Sequence, residues 1–195
     1  MRITSSKFLV SVADIRHLPD PTLKEVAFLG RSNVGKSALI STLCRKTGLA
    51  RSGGTPGKTR TLNYFLVNNH FYFVDLPGYG FARLPEQIRA SLGNLIEQYL
   101  NERKTLALAV QLVDSRHQPT ELDMMMVGWL NYYEVPFLVT LTKSDKLPRS
   151  KLTLHLQEAG RTFLKFRHCK GVVMFSSVTG EGRAEVLSLV SRYVS

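Results

Sequence analysis

Hydrophobic positions along the chain fall into two patterns, short unbroken apolar runs and longer stretches in which apolar residues recur every third or fourth position. The first pattern predicts strands at Val26–Gly30, Thr61–Val67, Phe71–Leu76, Leu106–Asp114, Pro136–Thr142 and Gly171–Ser177. Unbroken runs of this kind suit strands covered on both faces, as in a parallel sheet. The second pattern predicts helices over Pro85–Asn101, Thr120–Tyr133, Ser150–Arg167 and Glu181–Tyr193. In the third of these, Leu152, Leu156, Ala159, Phe163 and Phe166 make a single stripe. A further helix follows Gly35, with Leu39, Ile40 and Leu43 on one side. Asn68 and Asn69 between two strands predict a hairpin, and Phe8, Val10 and Val12 alternate like an edge strand ahead of the turn-rich LPDP.

Strands alternating with helices predict an α/β fold: a three-layer domain whose mostly parallel, twisted sheet carries one antiparallel hairpin strand and helices on both faces. Residues 1–24 read as an N-terminal extension and 25–195 as the main domain. In such sheets ligands bind beyond the carboxyl ends of the strands, so the loops there matter most.

Composition narrows the class. With 44% hydrophobic and 21% charged residues, a packed core is expected and disorder is not. No apolar run approaches the roughly 20 residues of a membrane span, and Lys7–Ala13 is too short for a signal core, so a cytoplasmic protein without a membrane partner is expected. Cys44 and Cys169 lack metal-ligand spacing and read as reduced packing residues. The formal net charge of +11 attracts polyanions without naming one. Eight Lys or Arg lie between Lys143 and Lys170 against Asp145 and Glu158. Within that stretch Arg161 and Lys165 are a like-charge i,i+4 pair, either a solvated basic face or an RNA contact. Met124, Met125 and Met126 read as core.

Four strand-end loops carry candidate chemistry. Gly30–Ser37 satisfies G-x-x-x-x-G-K-[ST] between a strand and a helix, so its backbone N–H groups and the helix dipole aim at a polyphosphate. Lys36 would reach the outer phosphates and Ser37 would ligate Mg²⁺. Asp75 and Gly78 of DLPG suit Mg²⁺ held through water and a γ-phosphate oxygen. Thr142, Lys143 and Asp145 of TKSD follow another strand. Asp145 can accept from guanine N1–H and the 2-amino group, which adenine lacks there, while the Lys143 stem covers the base. Ser176, Ser177 and Val178 close the last strand, where the Ser177 N–H can meet guanine O6. The expected nucleotide contacts are therefore Gly30, Arg31, Ser32, Asn33, Val34, Gly35, Lys36, Ser37, Asp75, Gly78, Thr142, Lys143, Asp145, Ser176, Ser177 and Val178, with GTP or GDP as the ligand.

Taken in order, GRSNVGKS, TPGKTRTLNYF, DLPGYGFA, TKSD and SSVTGEG make the chain resemble the P-loop GTPases, and within them the Era-like EngB family. The resemblance implies a switch loop around TPGKT. Gly57 would then touch nucleotide and Thr59 would bind Mg²⁺ and sense the γ-phosphate, with Thr55 and Thr61 as competing choices. It also implies GTP hydrolysis, with Lys36, Thr59, Gly78 and Asn33 as candidate catalytic groups, and a role in large-subunit assembly with ribosomal RNA and proteins as partners. A monomer is expected.

Where Ras-like enzymes place a water-orienting glutamine, this chain has Tyr79, so slow intrinsic turnover is expected. Asn33 is either an ordinary residue at a variable position or, as in potassium-dependent relatives, a ligand that helps hold K⁺; Arg60 is the rival source of positive charge. A constitutive RNA-binding module and a small-molecule kinase are the alternatives to a GTPase switch.

Overall fold

The computed structural model describes residues 1–50, 61–80 and 85–195. Seven strands, β1 (Ser6–Val12), β2 (Lys24–Gly30), β3 (Leu62–Val67), β4 (Phe71–Asp75), β5 (Leu106–Asp114), β6 (Phe137–Thr142) and β7 (Cys169–Met174), form one sheet in the order β1-β3-β4-β2-β5-β6-β7. Five helices accompany them: α1 (Lys36–Cys44), α2 (Glu86–Glu102), α3 (Glu121–Tyr132), α4 (Arg149–Phe163) and α5 (Arg183–Val194). Only β3 runs against the rest, pairing antiparallel with both β1 and β4. Asn68 and Asn69, both at φ +52°, make the turn that reverses it.

The strands are apolar on both faces because both are covered. Ala27, Leu29, Ala109, Val113, Val139 and Leu141 pack toward α2, α3 and α4, while Val26, Phe28, Leu108, Val110 and Leu138 pack toward α1 and α5. The sheet is the middle of three layers, as the alternation of runs requires.

Four expectations shift. β7 begins at Cys169 and ends at Met174, because it pairs with β6 from Phe137↔Cys169 to Leu141↔Met174. Ser176 and Ser177 thereby leave the strand and join the loop beyond it. Helix α4 stops at Phe163, where a tight turn folds Phe166 back onto the core; Leu156, on the flank of the stripe, is exposed. The alternation in β1 is broken by an irregularity between Phe8 and Val10, so Phe8 pairs with Phe65 and Val10 with Tyr64, on opposite faces. Of the methionines, Met126 is core and Met124 half-buried, but Met125 is 43% exposed.

One polar group is buried deliberately. Glu25, fully buried at the start of β2, accepts from Tyr64 Oη (3.0 Å), Tyr99 Oη (2.7 Å), Thr105 Oγ1 (2.9 Å) and Arg103 Nε (2.7 Å). Burial, and then the charge of Glu25, push both phenols above their ordinary ionisation range. Replacing Glu25 with alanine strands three hydroxyls and a guanidinium, which should cost about 3–5 kcal/mol. The expected outcome is a lower urea midpoint with an unchanged slope; an unchanged midpoint would mean that the network is incidental.

Candidate active site

The phosphate-binding motif lies where β2 turns into α1. Gly30 ends β2 so close to its neighbours that a Cβ there would stand 2.8 Å from Val34 Cγ1 and 3.1 Å from Leu112 Cβ. Asn33 (φ +61°) and Gly35 (φ +110°) take left-handed conformations that wrap the loop around its own centre. Gly35 is the N-cap of α1 and supplies no side-chain cap, so the polar end of the helix faces the loop. Lys36 Nζ lies 3.3 Å from Asp75 Oδ1, both side chains being nearly buried. Burial raises the Asp75 carboxyl and the Lys36 charge opposes that rise. Apart from the Lys36 ammonium, Asp75 Oδ1 meets no donor among the described residues, so a buried acceptor with one charged neighbour faces the phosphate loop.

The second strand end packs directly on the first. A Cβ on Gly78 would lie 3.2 Å from the Ser32 N and 3.3 Å from its Cα, so a side chain there would have to push the phosphate-loop backbone back by a few tenths of an ångström. Tyr79 forms an isolated parallel bridge with Arg31, its carbonyl accepting from Ser32 N–H at 3.0 Å. Its ring turns away from Lys36. The phenol donates to Asp123 Oδ1 (2.9 Å) and accepts from Gln111 Nε2. Burial first, and the Asp123 charge second, hold this phenol well above its ordinary range.

The third and fourth loops close the other side. Thr142 Oγ1 donates to Val34 O at 2.7 Å. Lys143, in the left-handed region at φ +63°, donates to Asn33 O and reaches Asp114 Oδ2, each at 2.9 Å. At Asp114 burial acts upward, but hydrogen bonds from Arg116 and Lys143 outweigh it and leave the carboxyl below its usual range. Ser144 Oγ donates to Glu181 Oε2 at 2.8 Å, tying TKSD to SSVTGEG. Ser176 Oγ donates to Asp145 Oδ1 at 2.7 Å and accepts from the N–H groups of Val178 and Thr179. Ser177 and Val178 are exposed, and Gly182 cannot be replaced, since a Cβ would fall 1.8 Å from Met174 O.

The structure therefore gathers Gly30–Ser37, Asp75, Gly78, Thr142, Lys143, Asp145 and Ser176–Val178 at one end of the sheet. Gly57, Thr59, Arg60 and Thr55 lie outside the described residues. Thr61 donates to Asn63 Oδ1 at 3.2 Å at the head of β3. Sequence reading missed Asp114, Ser144, Glu181, Gln111 and Asp123, which act by holding other residues. Two of them left a signal, Gln111 as the single polar letter inside the run LALAVQLVD and Asp123 as the last letter of a Thr120-x-x-Asp123 capping pattern.

A loop that wraps a helix N-terminus, an acidic strand end beside it and a lysine clamped across it define a P-loop GTPase, and residues 25–143 match the family described as 50S ribosome-binding GTPase. The chain is 45% identical over 185 residues to a probable GTP-binding protein EngB of Geobacillus thermodenitrificans, covering 95% of this chain and 94% of that one. A probable EngB of Oenococcus oeni is 41% identical, again with 95% and 94% covered. The chain belongs to the EngB family of GTPases. In fold it is similar to the crystal structure of a probable GTP-binding protein engB (TM-score 0.73, 24% identity, 87% of this chain and 98% of that one). It is likewise similar to Era in complex with MgGDPNP and a segment of 16S ribosomal RNA (TM-score 0.70, 21% identity, 89% and 57%).

The Asp145 carboxyl titrates below its ordinary 3.8, chiefly because the Ser176 hydroxyl donates to its ionised form. A depressed carboxylate supports the fold above its unfolded value, and that support is lost as pH falls through the folded one. Ser176→Ala should move the Asp145 carboxyl resonance, followed by carbon-13 NMR, upward toward 3.8. An unmoved titration would assign the depression to the Asp145 backbone N–H and to Lys146 instead.

Proposed function

We propose that the chain is a GTP–GDP switch that acts in assembly of the large ribosomal subunit. The clamp formed by Lys143 carries the reading of the site: one ammonium joins the base loop, the phosphate loop and the end of β5. A base held at Asp145 thereby has its phosphates directed to Lys36. Asp145, presented by Ser176, accepts from guanine, and the Ser177 N–H meets guanine O6. The residues from Arg31 to Gly35 surround the phosphates through their backbone, and Val178 borders the base.

Asp75 Oδ1, met only by the Lys36 ammonium among the described residues, fits a hydrated Mg²⁺, which Ser37, Asp75 and Thr59 would hold. When bound, that ion neutralises charge developing on the phosphate oxygens. Lys36 then supplies a second positive charge from the loop, and Gly78 and Thr59 report whether the γ-phosphate is present.

The ribosomal assignment rests on the description of the matched family and on the +11 charge, which suits an RNA-rich surface. Arg161 is exposed on α4 and Lys165 is exposed in the turn just beyond it, as an RNA contact needs. The Lys165 ammonium also lies 5.8 Å from the Phe166 ring centre, so part of its charge is already engaged. Cosedimentation with purified large subunits in a non-hydrolysable GTP analogue, in GDP and without nucleotide tests the assignment. Binding that ignores the nucleotide would favour a constitutive RNA-binding module.

Asp145→Asn should weaken GTP by about 1.5–3 kcal/mol while improving xanthine nucleotides, whose C2 carbonyl accepts what the carboxamide donates. Unchanged GTP affinity would remove Asp145 from the base site. With the Tyr79 ring turned into the core and Asn33 exposed on the phosphate loop, K⁺ held at Asn33 is the proposed source of the positive charge that meets charge developing on the β–γ bridging oxygen. Hydrolysis should then run faster in KCl than in NaCl at equal ionic strength, and Asn33→Ala should erase the difference. Equal rates in both salts, with slowing by Arg60→Ala, would transfer the role to Arg60.

A further inference from the structure

Gln111 is fully buried in an otherwise apolar strand, and Asp123, 3% exposed, is buried in the first turn of α3. Two buried polar groups on two different elements are costly unless each is satisfied. They converge on one atom, the Tyr79 phenol oxygen. Asp123 is not free to do otherwise. Its second oxygen accepts from Thr120 N–H at 3.0 Å and from Thr120 Oγ1 at 2.7 Å, closing the capping box that starts α3. Gln111 Nε2 makes a second donation to Leu112 O at 3.1 Å, while its Oε1 is buried with no partner among the described residues.

What these groups hold is the residue directly after Gly78. Through its backbone Tyr79 is bridged to Arg31, Gly30 and Ser32 of the phosphate loop, and through its ring to β5 and α3. Gly78 is thus followed directly by a residue held at two points, its backbone and its ring hydroxyl. A tyrosine whose role was only to fill space would need neither buried partner, and phenylalanine would pack as well.

We propose that Tyr79 is the positioning residue of the phosphate-sensing turn: latched by Gln111 and Asp123, it sets where Gly78 stands against the phosphate loop and passes any change there to the first turn of α3. This rests on the reading of Gly78 as the γ-phosphate sensor. Residue 79 acts through Gly78, since its ring lies on the side of β5 and α3, away from Lys36. The latch resists displacement of Gly78, so its loss should be felt where the γ-phosphate is bound or cleaved and not where only base and β-phosphate are held.

The test compares Tyr79→Phe, Gln111→Met and their double variant, all in the full chain, by GTP and GDP affinity and single-turnover hydrolysis, with urea unfolding as a check on folding. Each single variant should lower the preference for GTP over GDP by about 5- to 20-fold and slow hydrolysis by a similar factor. The double should be no worse than the more damaged single, since both cut the same connection. Tyr79→Gln should not restore hydrolysis, because the side chain points away from the phosphates. Equal losses of GTP and GDP affinity, or wild-type rates in both single variants, would overturn the latch. So would acceleration by Tyr79→Gln, which would place residue 79 at the attacking water. Gln111→Met keeps the comparison open if Tyr79→Phe fails to fold. Guanine selectivity depends on Asp145 and should survive in every variant. A wild-type chain that bound ATP as well as GTP would therefore sink the reading of the site, whereas loss of the predicted ratio alone sinks the latch.

Discussion

The carboxylate of Glu25 ties together the elements that the site needs held still. It stands at the amino end of β2, the strand whose carboxyl end is Gly30, and draws donors from β3, from α2 and from the entry to β5. A buried carboxylate is tolerable only with such complete satisfaction, because the ion loses its hydration and must recover it from fixed donors. Its consequence is geometric. Tyr99 and Arg103 fasten the carboxyl-terminal end of α2 to the amino end of the central strand β2, opposite the site, leaving the amino-terminal end of that helix near the DLPGYG turn.

Most of the framework could be read from the chain because apolar runs and turn residues carry the information. Leu106–Asp114 matches β5 residue for residue, since the run is bounded on both sides by polar letters and both faces of the strand are buried. β7 could not be placed so well. Its limits come from pairing with β6, and register between strands far apart in sequence leaves no local trace. The irregularity after Phe8 is similar: Phe8, Val10 and Val12 alternate in sequence whether or not an extra residue intervenes in the ladder. Helix α4 is overextended in the sequence reading because Phe166 continues the apolar period while packing from a turn beyond the helix.

The site divides along the same line. Gly30, Lys36, Asp75, Gly78, Lys143 and Asp145 are legible because phosphate, a divalent ion and guanine each require a specific donor or acceptor at a strand end. Asp114, Glu181 and Ser144 were invisible, since a carboxylate that holds a lysine or a serine needs only proximity in the fold. Tyr79 is an intermediate case. Sequence shows that it is not glutamine, but only the structure shows that its hydroxyl is engaged on the opposite side, with Gln111 and Asp123.

The two halves of the site are built for different tasks. On the base side, connections converge on single charged groups: Lys143 spans Asn33 and Asp114, and Ser176 orders both Asp145 and the loop that follows. Charge-assisted hydrogen bonds of this kind are among the stronger ones, so the guanine side should hold its shape throughout the cycle. On the γ-phosphate side, the backbone bridge and the phenol bond to Asp123 both act on Tyr79, one residue beyond Gly78, so the glycine is held indirectly and has more freedom to answer a phosphate contact than the directly clamped base loop. A switch needs that inequality. If the sensing turn were clamped as firmly as the base loop, binding the γ-phosphate could not move it, and if it were unlatched the movement would not reach α3.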